Sequence, residues 1–201
     1  MDSSILERGE QTKSDILQAA HHLFIKKGFH GSSMRQISQE AGIALGGIYN
    51  HYASKEDIFL EVILTYHPYI QTLPVLAAAE GATLEEYVRD IARRLISALG
   101  ERLDFINLMF IELVEFEGKH LQQIFQQIFP KLLDFSRQFA DRENLLRPIP
   151  PLVLVRVFLG LFYSYVLTEI IISRQMPIEM KEDSLDYFID IFLHGILAES
   201  K

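Results

Sequence analysis

The segment from Ser33 to Lys55 gathers side chains suited to holding a nucleic acid rather than to breaking a bond. Tyr49 can donate its hydroxyl to a phosphate or lay its ring on a base edge, Asn50 can bond adenine or a phosphate, and Leu45 can meet a thymine methyl. Arg35 can reach a guanine or the backbone, and His51 adds a donor that protonation beside a phosphate would strengthen. Ser33 and Lys55 stand where two helices begin, and the free N–H groups and positive dipole end of such starts suit phosphate oxygens. Gly46 and Gly47 stand out in this company. Each glycine costs a helix about 1 kcal/mol relative to alanine, yet Ile48 and Tyr52 follow them at helical spacing.

Other chemistries lack their residues. The chain has no cysteine, which excludes disulfides, thiolate metal sites and a cysteine nucleophile. No glycine-rich phosphate loop follows a strand, and neither GxSxG nor HExxH occurs. Of the 7 histidines only His21 and His22 are adjacent, and neighbours cannot share a helical face. An enzyme is therefore the least favoured reading, with no catalytic residue, cofactor or metal expected. The net charge of -8 does not oppose nucleic-acid binding, because a face can be locally basic. Up to Leu60 six bases stand against seven acids, so the acidity lies in the remainder. The N-terminus lacks a basic start followed by an apolar run, which points to a cytoplasmic protein. Leu152 to Ile172 is about long enough to cross a bilayer, but Arg156 and Glu169 would each cost about 3 kcal/mol there. A buried helix, with no membrane partner, is expected.

The elements that must position these groups read as all-α, because no run alternates apolar and polar residues between turn signals. The spacing predicts a first helix from Gln11 to Lys27, stopped by Gly28. Ser33 opens a second, with Gln36 completing a reciprocal capping box, and Gly42 ends it. A third, short helix carries Ile48 and Tyr52 inward, and Ser54 caps a connector helix starting at Lys55. Pro68 and Pro74 read as breakers. Beyond them lie a helix from Thr83 to Leu99, an apolar one from Glu101 to Glu117 with a narrow polar stripe of Asp104, Glu112 and Glu115, and one from Lys119 to Arg142 bent or split at Pro130. Two final helices span 152–175 and 182–199, giving about nine in all. The second and third helices, joined by a short glycine-containing turn, form a helix-turn-helix whose second helix enters the major groove.

The stretch TKSDILQAAHHLFIKKGFHGSSMRQISQEAGIALGGIYNHYASKEDIFLEVI resembles the DNA-binding domain of TetR-family (TetR/AcrR) transcriptional regulators along its whole length. The hallmarks are Ala19-Ala20, Leu23-Phe24, Gly28-Phe29, Ile37, Ala41-Gly42, and Gly46-x-Ile48-Tyr49-x-His51-Tyr52-x-x-Lys55-Glu56. The resemblance implies an N-terminal three-helix DNA-binding domain over 1–54 and a C-terminal helical effector-binding and dimerisation domain over 55–201. It implies a homodimer on a palindromic double-stranded DNA operator, most simply a repressor released by a small-molecule effector. The expected DNA contacts are Ser33, Arg35, Leu45, Gly46, Gly47, Tyr49, Asn50, His51 and Lys55. Where the family often has Ser or Thr at 44, a polar or basic residue at 45 and Thr at 47, this chain has Ala44, Leu45 and Gly47. Those departures keep open an alternative, a helical dimerisation or ligand-binding protein that has lost specific DNA binding.

In the C-terminal part, Phe105, Met109, Phe110, Phe125, Phe129 and Tyr163 form an aromatic set that could line an apolar cavity, with Asn107 or His120 supplying polarity. A hydrophobic effector follows from that composition. Leu185, Phe188, Ile189, Phe192 and Ile196 make an apolar stripe, and Gly160 and Gly195 permit close helix approach, which together mark a two-fold dimer interface.

Overall fold

The computed structural model describes residues 3–100, 104–140, 147–175 and 184–196. Ten helices and no strand occur among the described residues: α1 (Ser3–Lys27), α2 (Met34–Glu40), α3 (Leu45–Tyr49), α4 (Lys55–Tyr66), α5 (Pro68–Ala77), α6 (Leu84–Gly100), α7 (Asp104–Val114), α8 (Leu121–Ala140), α9 (Pro151–Gln175) and α10 (Leu185–Ile196). They gather into two compact units. One comprises Met1–His67 and Leu103–Gln127, the other Pro68–Arg102 and Ile128–Lys201. This partition departs from a break at residue 55, because α4 packs on both α1 and α7 and so stays with the first unit.

In the first unit the core is built from one face of α1 (Ile16, Ala20, Leu23, Phe24), Ile37 of α2, Ile48 of α3 and Ile58, Phe59 and Val62 of α4, all buried. The rings of Phe24 and Phe29 pack edge-on against Phe59, and Phe116 stacks on Phe59 with centroids 4.7 Å apart. Gly28 closes α1 at φ +73, its N–H donating to Phe24 O at 2.9 Å. The positive φ favours glycine, and a Cβ there would lie 3.1 Å from Glu115 Oε1, close enough that this carboxylate would have to shift slightly.

In the second unit α6 contacts α5, α9 and α10, and α9 contacts α10. Val88, Ile91, Ala92 and Leu95 of α6 meet a core that also buries Phe158 and Phe162 of α9 and Ile189 and Phe192 of α10. The Phe158 and Phe162 centroids lie 4.6 Å apart, and Phe192 sits edge-on to Phe158 at 5.3 Å. The long apolar stretch Pro151–Glu169 is thus a core helix with one face inside, which accounts for its hydropathy without a bilayer.

Three elements differ from expectation. Helix α1 begins at Ser3, eight residues before the predicted start, and the first buried side chain among its described residues is Ile16. Pro68 does separate two helices, since α4 ends at Tyr66, but it also opens α5, where a missing N–H costs nothing, and Pro74 is carried inside that helix instead of breaking it. Pro130 does not split α8, which runs unbroken to Ala140. The reciprocal box at Ser33 is also altered. Its Oγ accepts from Gln36 N–H at 3.3 Å but donates to the Gln36 side chain at 3.1 Å, while the full reciprocal pattern forms at Thr83 and Glu86.

Candidate nucleic-acid interface

Helices α2 and α3 are set by a turn that satisfies its own backbone. Gly42 N–H reaches Gln39 O at 3.2 Å and Ile43 N–H reaches Ser38 O at 3.0 Å. Helix α3 is only five residues long, and its N-cap Ala44 makes no side-chain hydrogen bond. Packing holds it instead: Ile48 is fully buried and Tyr52, just beyond the helix, nearly so. Burial, with Glu61 beside it, pushes the Tyr52 phenol above the ordinary tyrosine range. The opposite face carries Leu45, 40% exposed, and Tyr49, 54% exposed, one helical turn apart. Gly46, Asn50 and His51 are exposed beside them, and Gly47 is half-buried. Ser33 and Arg35 are exposed at the start of α2. The structure therefore brings eight of the nine expected contact residues to the surface at least in part, while the ninth, Lys55, is engaged from within.

The ammonium of Lys55 donates to Phe29 O at 2.5 Å and Ser32 O at 2.6 Å and lies 4.1 Å from the Phe29 ring centroid. Burial lowers its pKa below that of a free lysine, and Glu115 partly offsets this. Lys55, expected as a phosphate ligand, thus bonds two carbonyls of the α1–α2 turn in this structure. That turn is held from the other side as well. Glu115, just past α7, accepts from Phe29 N–H at 3.3 Å and His30 N–H at 3.0 Å.

A second polar cluster lies beside it. Glu112 is fully buried and accepts from His120 N–H at 2.6 Å, with His120 Nδ1 at 2.8 Å from its other oxygen. His120 Nε2 lies 3.1 Å from Glu56, whose carboxyl is held below the usual range by Lys119 first and His120 second. This corrects the expectation that His120 lends polarity to a pocket: both ring nitrogens face carboxylates inside the first unit. The polar stripe of α7 was the available signal, since carboxylates along one line of an apolar helix need a donor surface opposite. His21 and His22 are likewise structural, at 2.9 Å from Asp104 and 2.8 Å from Glu40.

The remaining expected positions scatter. Met109 is half-buried, and Phe110, Asn107 and Phe125 are exposed, all in the first unit, whereas Phe129 and Tyr163 are half-buried in the second. The side chain of Phe105 lies outside the described residues. A groove of about 280 Å³ in the second unit is lined instead by Leu73, Pro74, Ala77, Phe135, Lys131, Asp134 and Gln138. On α10, Ile189, Phe192 and Ile196 are buried within their own chain against the unit's core, which corrects their placement at a dimer interface. Leu185 and Phe188 are half-buried, and Gly160 and Gly195 are exposed. The large apolar residues that α9 and α10 leave to solvent, among the described residues, are Val153, Val157, Leu167, Tyr187 and Ile191. Arg156 is exposed next to Val157, and Glu169 is half-buried.

Residues 16–62 match the model of bacterial regulatory proteins of the tetR family. The chain is similar along its length to the uncharacterized HTH-type transcriptional regulator YvkB of Bacillus subtilis, 22% identical over 190 residues covering 94% of this chain and 98% of YvkB. Its fold is similar to the crystal structure of a TetR-family transcriptional regulator from Mesorhizobium loti, with a TM-score of 0.70 and 22% identity over 95% of this chain and 99% of that one. It is also similar to the transcriptional regulator FadR from Bacillus subtilis in complex with stearoyl-CoA, with a TM-score of 0.63 and 17% identity over 90% of this chain and 98% of that one. The matched segment is the one that forms α1 to α4 around the outward face of α3, and over it the chain carries a DNA-binding domain of the kind found in tetR-family transcriptional regulators.

Proposed function

We propose that this regulator is a cytoplasmic homodimeric repressor that occupies a palindromic operator and leaves it when a small hydrophobic effector binds. Residues 1–54 contact DNA and 55–201 carry the effector and dimer functions. The observation that supports the dimer is a spacing. Val153, Val157, Gly160, Ser164 and Leu167 fall on one line of α9 at alternating steps of four and three, and all are exposed. Tyr187, Ile191 and Gly195 follow one another at steps of four on α10 and are exposed as well. The buried residues of both helices already face their own core, so this outer stripe is free for a second copy. Two-fold pairing of such a face gives two recognition helices related by symmetry, and a palindromic site mirrors it. Occupancy of that site excludes other proteins from the same duplex.

The effector reading is supported by the apolar wall of the groove between α5 and α8 and by the stearoyl-CoA held by the Bacillus FadR. An effector that binds the DNA-free conformation better shifts the population toward it by its differential affinity. Sedimentation of the purified protein, together with titration of selected duplex DNA in the presence and absence of long-chain acyl-CoA, tests the whole reading. A dimer that releases DNA on addition of the acyl compound is expected. A monomer that binds a single half-site with undiminished affinity overturns it.

A further inference from the structure

The DNA-facing helix has unusual chemistry for a reader of bases. From Ala41 to Asn50 the chain has no charged side chain, and only Tyr49 and Asn50 can make a side-chain hydrogen bond. In the major groove guanine is read by donors to N7 and O6 and cytosine by an acceptor facing its amino group, whereas thymine offers a methyl. An exposed leucine at the start of such a face matches one of those features alone. Asn50, whose amide suits adenine N6 and N7, points to the same base pair.

The glycines support close approach. Neither Gly46 nor Gly47 adopts positive φ. A Cβ at Gly46 would meet nothing within 4 Å, and at Gly47 only Ile43 Cδ1 at 3.9 Å. Packing among the described residues therefore does not call for two residues that weaken a five-residue helix. What their missing side chains permit is entry of the helix backbone into the groove, with Leu45 brought to van der Waals distance of the base edges. The internal engagement of Lys55 acts in the same direction, because it withdraws one cation from the phosphates and leaves more of the affinity to base contacts.

We infer that α3 reads A·T pairs through thymine methyl groups, with Leu45 as the residue that packs on them. This rests on the DNA-binding reading above and names what is read. The test uses the full-length protein and duplexes selected from a random library, then resynthesised with deoxyuridine in place of thymidine at single positions. That change removes the methyl and keeps every hydrogen-bonding group. One methyl packed on Leu45 is worth about fourfold in affinity, and the symmetric pair in two half-sites about fifteenfold. Leu45→Ala is expected to bind more weakly and to lose the distinction between thymidine and deoxyuridine, while Tyr49→Ala binds more weakly but keeps it. Equal affinity of the wild-type protein for both duplexes, or undiminished discrimination by Leu45→Ala, overturns the inference while leaving DNA binding intact. A library that yields no enriched sequence at all is a different failure, and it overturns the DNA-binding reading itself.

Discussion

The outward face of α3 and the exposed stripe of α9 and α10 are both apolar, yet they are built in opposite ways. Helix α3 has five residues, no side-chain cap and two glycines, and it holds its place through buried Ile48 and, just beyond its end, Tyr52. Helices α9 and α10 have 25 and 12 residues, and they bury one continuous face before they offer the other. A short helix with little side chain suits a target that supplies its own charge and must be approached closely. A long stripe suits a partner that must be held by area, since apolar burial scales with surface removed from water. The two faces should therefore answer to different substitutions.

The largest effect is expected on the long stripe. Ile191, 64% exposed at its centre on α10, would be buried twice in a symmetric dimer. Ile191→Asp loses that burial and places a carboxylate in each apolar half, which should raise the dimer dissociation constant about a thousandfold. Sedimentation equilibrium measures this directly, and thermal melting extrapolated to low concentration shows whether each chain stays folded. An unchanged dissociation constant would move the interface elsewhere and remove the contrast drawn here.

Acid should give the next largest effect. Burial lowers the pKa of His67, at the end of α4, to about 4 from an ordinary 6.5. Between these values the unfolded chain binds the proton and the folded chain does not, so stability falls as pH drops below about 6.5. The loss reaches about 3 kcal/mol near pH 4, with Glu56 and Asp90, both held below their ordinary pKa, adding to it at lower pH. The urea midpoint measured from pH 7.5 to 4.5 should decline, and His67→Gln should flatten the upper part of that decline. A midpoint that stays level across this window in the wild type would show that His67 accepts its proton in the fold.

Much of this was legible before the structure. The all-α class, the helix-turn-helix and the inward Ile48 and Tyr52 follow from periodicity and turn residues, because burial on one face of a helix writes itself into the spacing. Three things do not write themselves there. Proline at the first turn of a helix and proline at a break look alike until the neighbouring backbone is seen, and α5 was hidden for that reason. The stripe of Ile189, Phe192 and Ile196 is a true apolar face, but α10 is apolar nearly all round, and periodicity cannot say which face meets its own chain and which a second one. Lys55 illustrates the third. Its partners Phe29 and Ser32 lie 26 and 23 residues away, and no local pattern announces a lysine whose donors are turned onto distant carbonyls.

That lysine gives the third test, on the boundary between scaffold and DNA face. If Lys55 holds the α1–α2 turn, Lys55→Met should cost about 2 kcal/mol of stability through the two unfilled carbonyls. The salt dependence of DNA binding by the folded fraction should keep its slope. Loss of a phosphate contact would instead reduce that slope by about 0.9. A slope lowered by that amount, with unchanged stability, would return Lys55 to the DNA surface.

The smallest effect is the most discriminating, because it has opposite signs in the two properties measured. Gly46 stands in open space with ordinary helical backbone, so Gly46→Ala should strengthen α3 by about 1 kcal/mol and raise the melting temperature of the free protein by about 3 °C. On DNA the added methyl stands between the helix backbone and the groove, and affinity for the selected duplex should fall several-fold even though the protein is more stable. The same substitution on the stripe, Gly160→Ala on α9, probes the contrast from the other side: its Cβ also meets nothing within 4 Å in the chain, so any loss it causes belongs to the partner helix across the interface. If Gly46→Ala raised stability and left DNA affinity untouched, close approach would not be what the glycines permit, and the short helix would have to reach its bases through Leu45, Tyr49 and Asn50 from a greater distance.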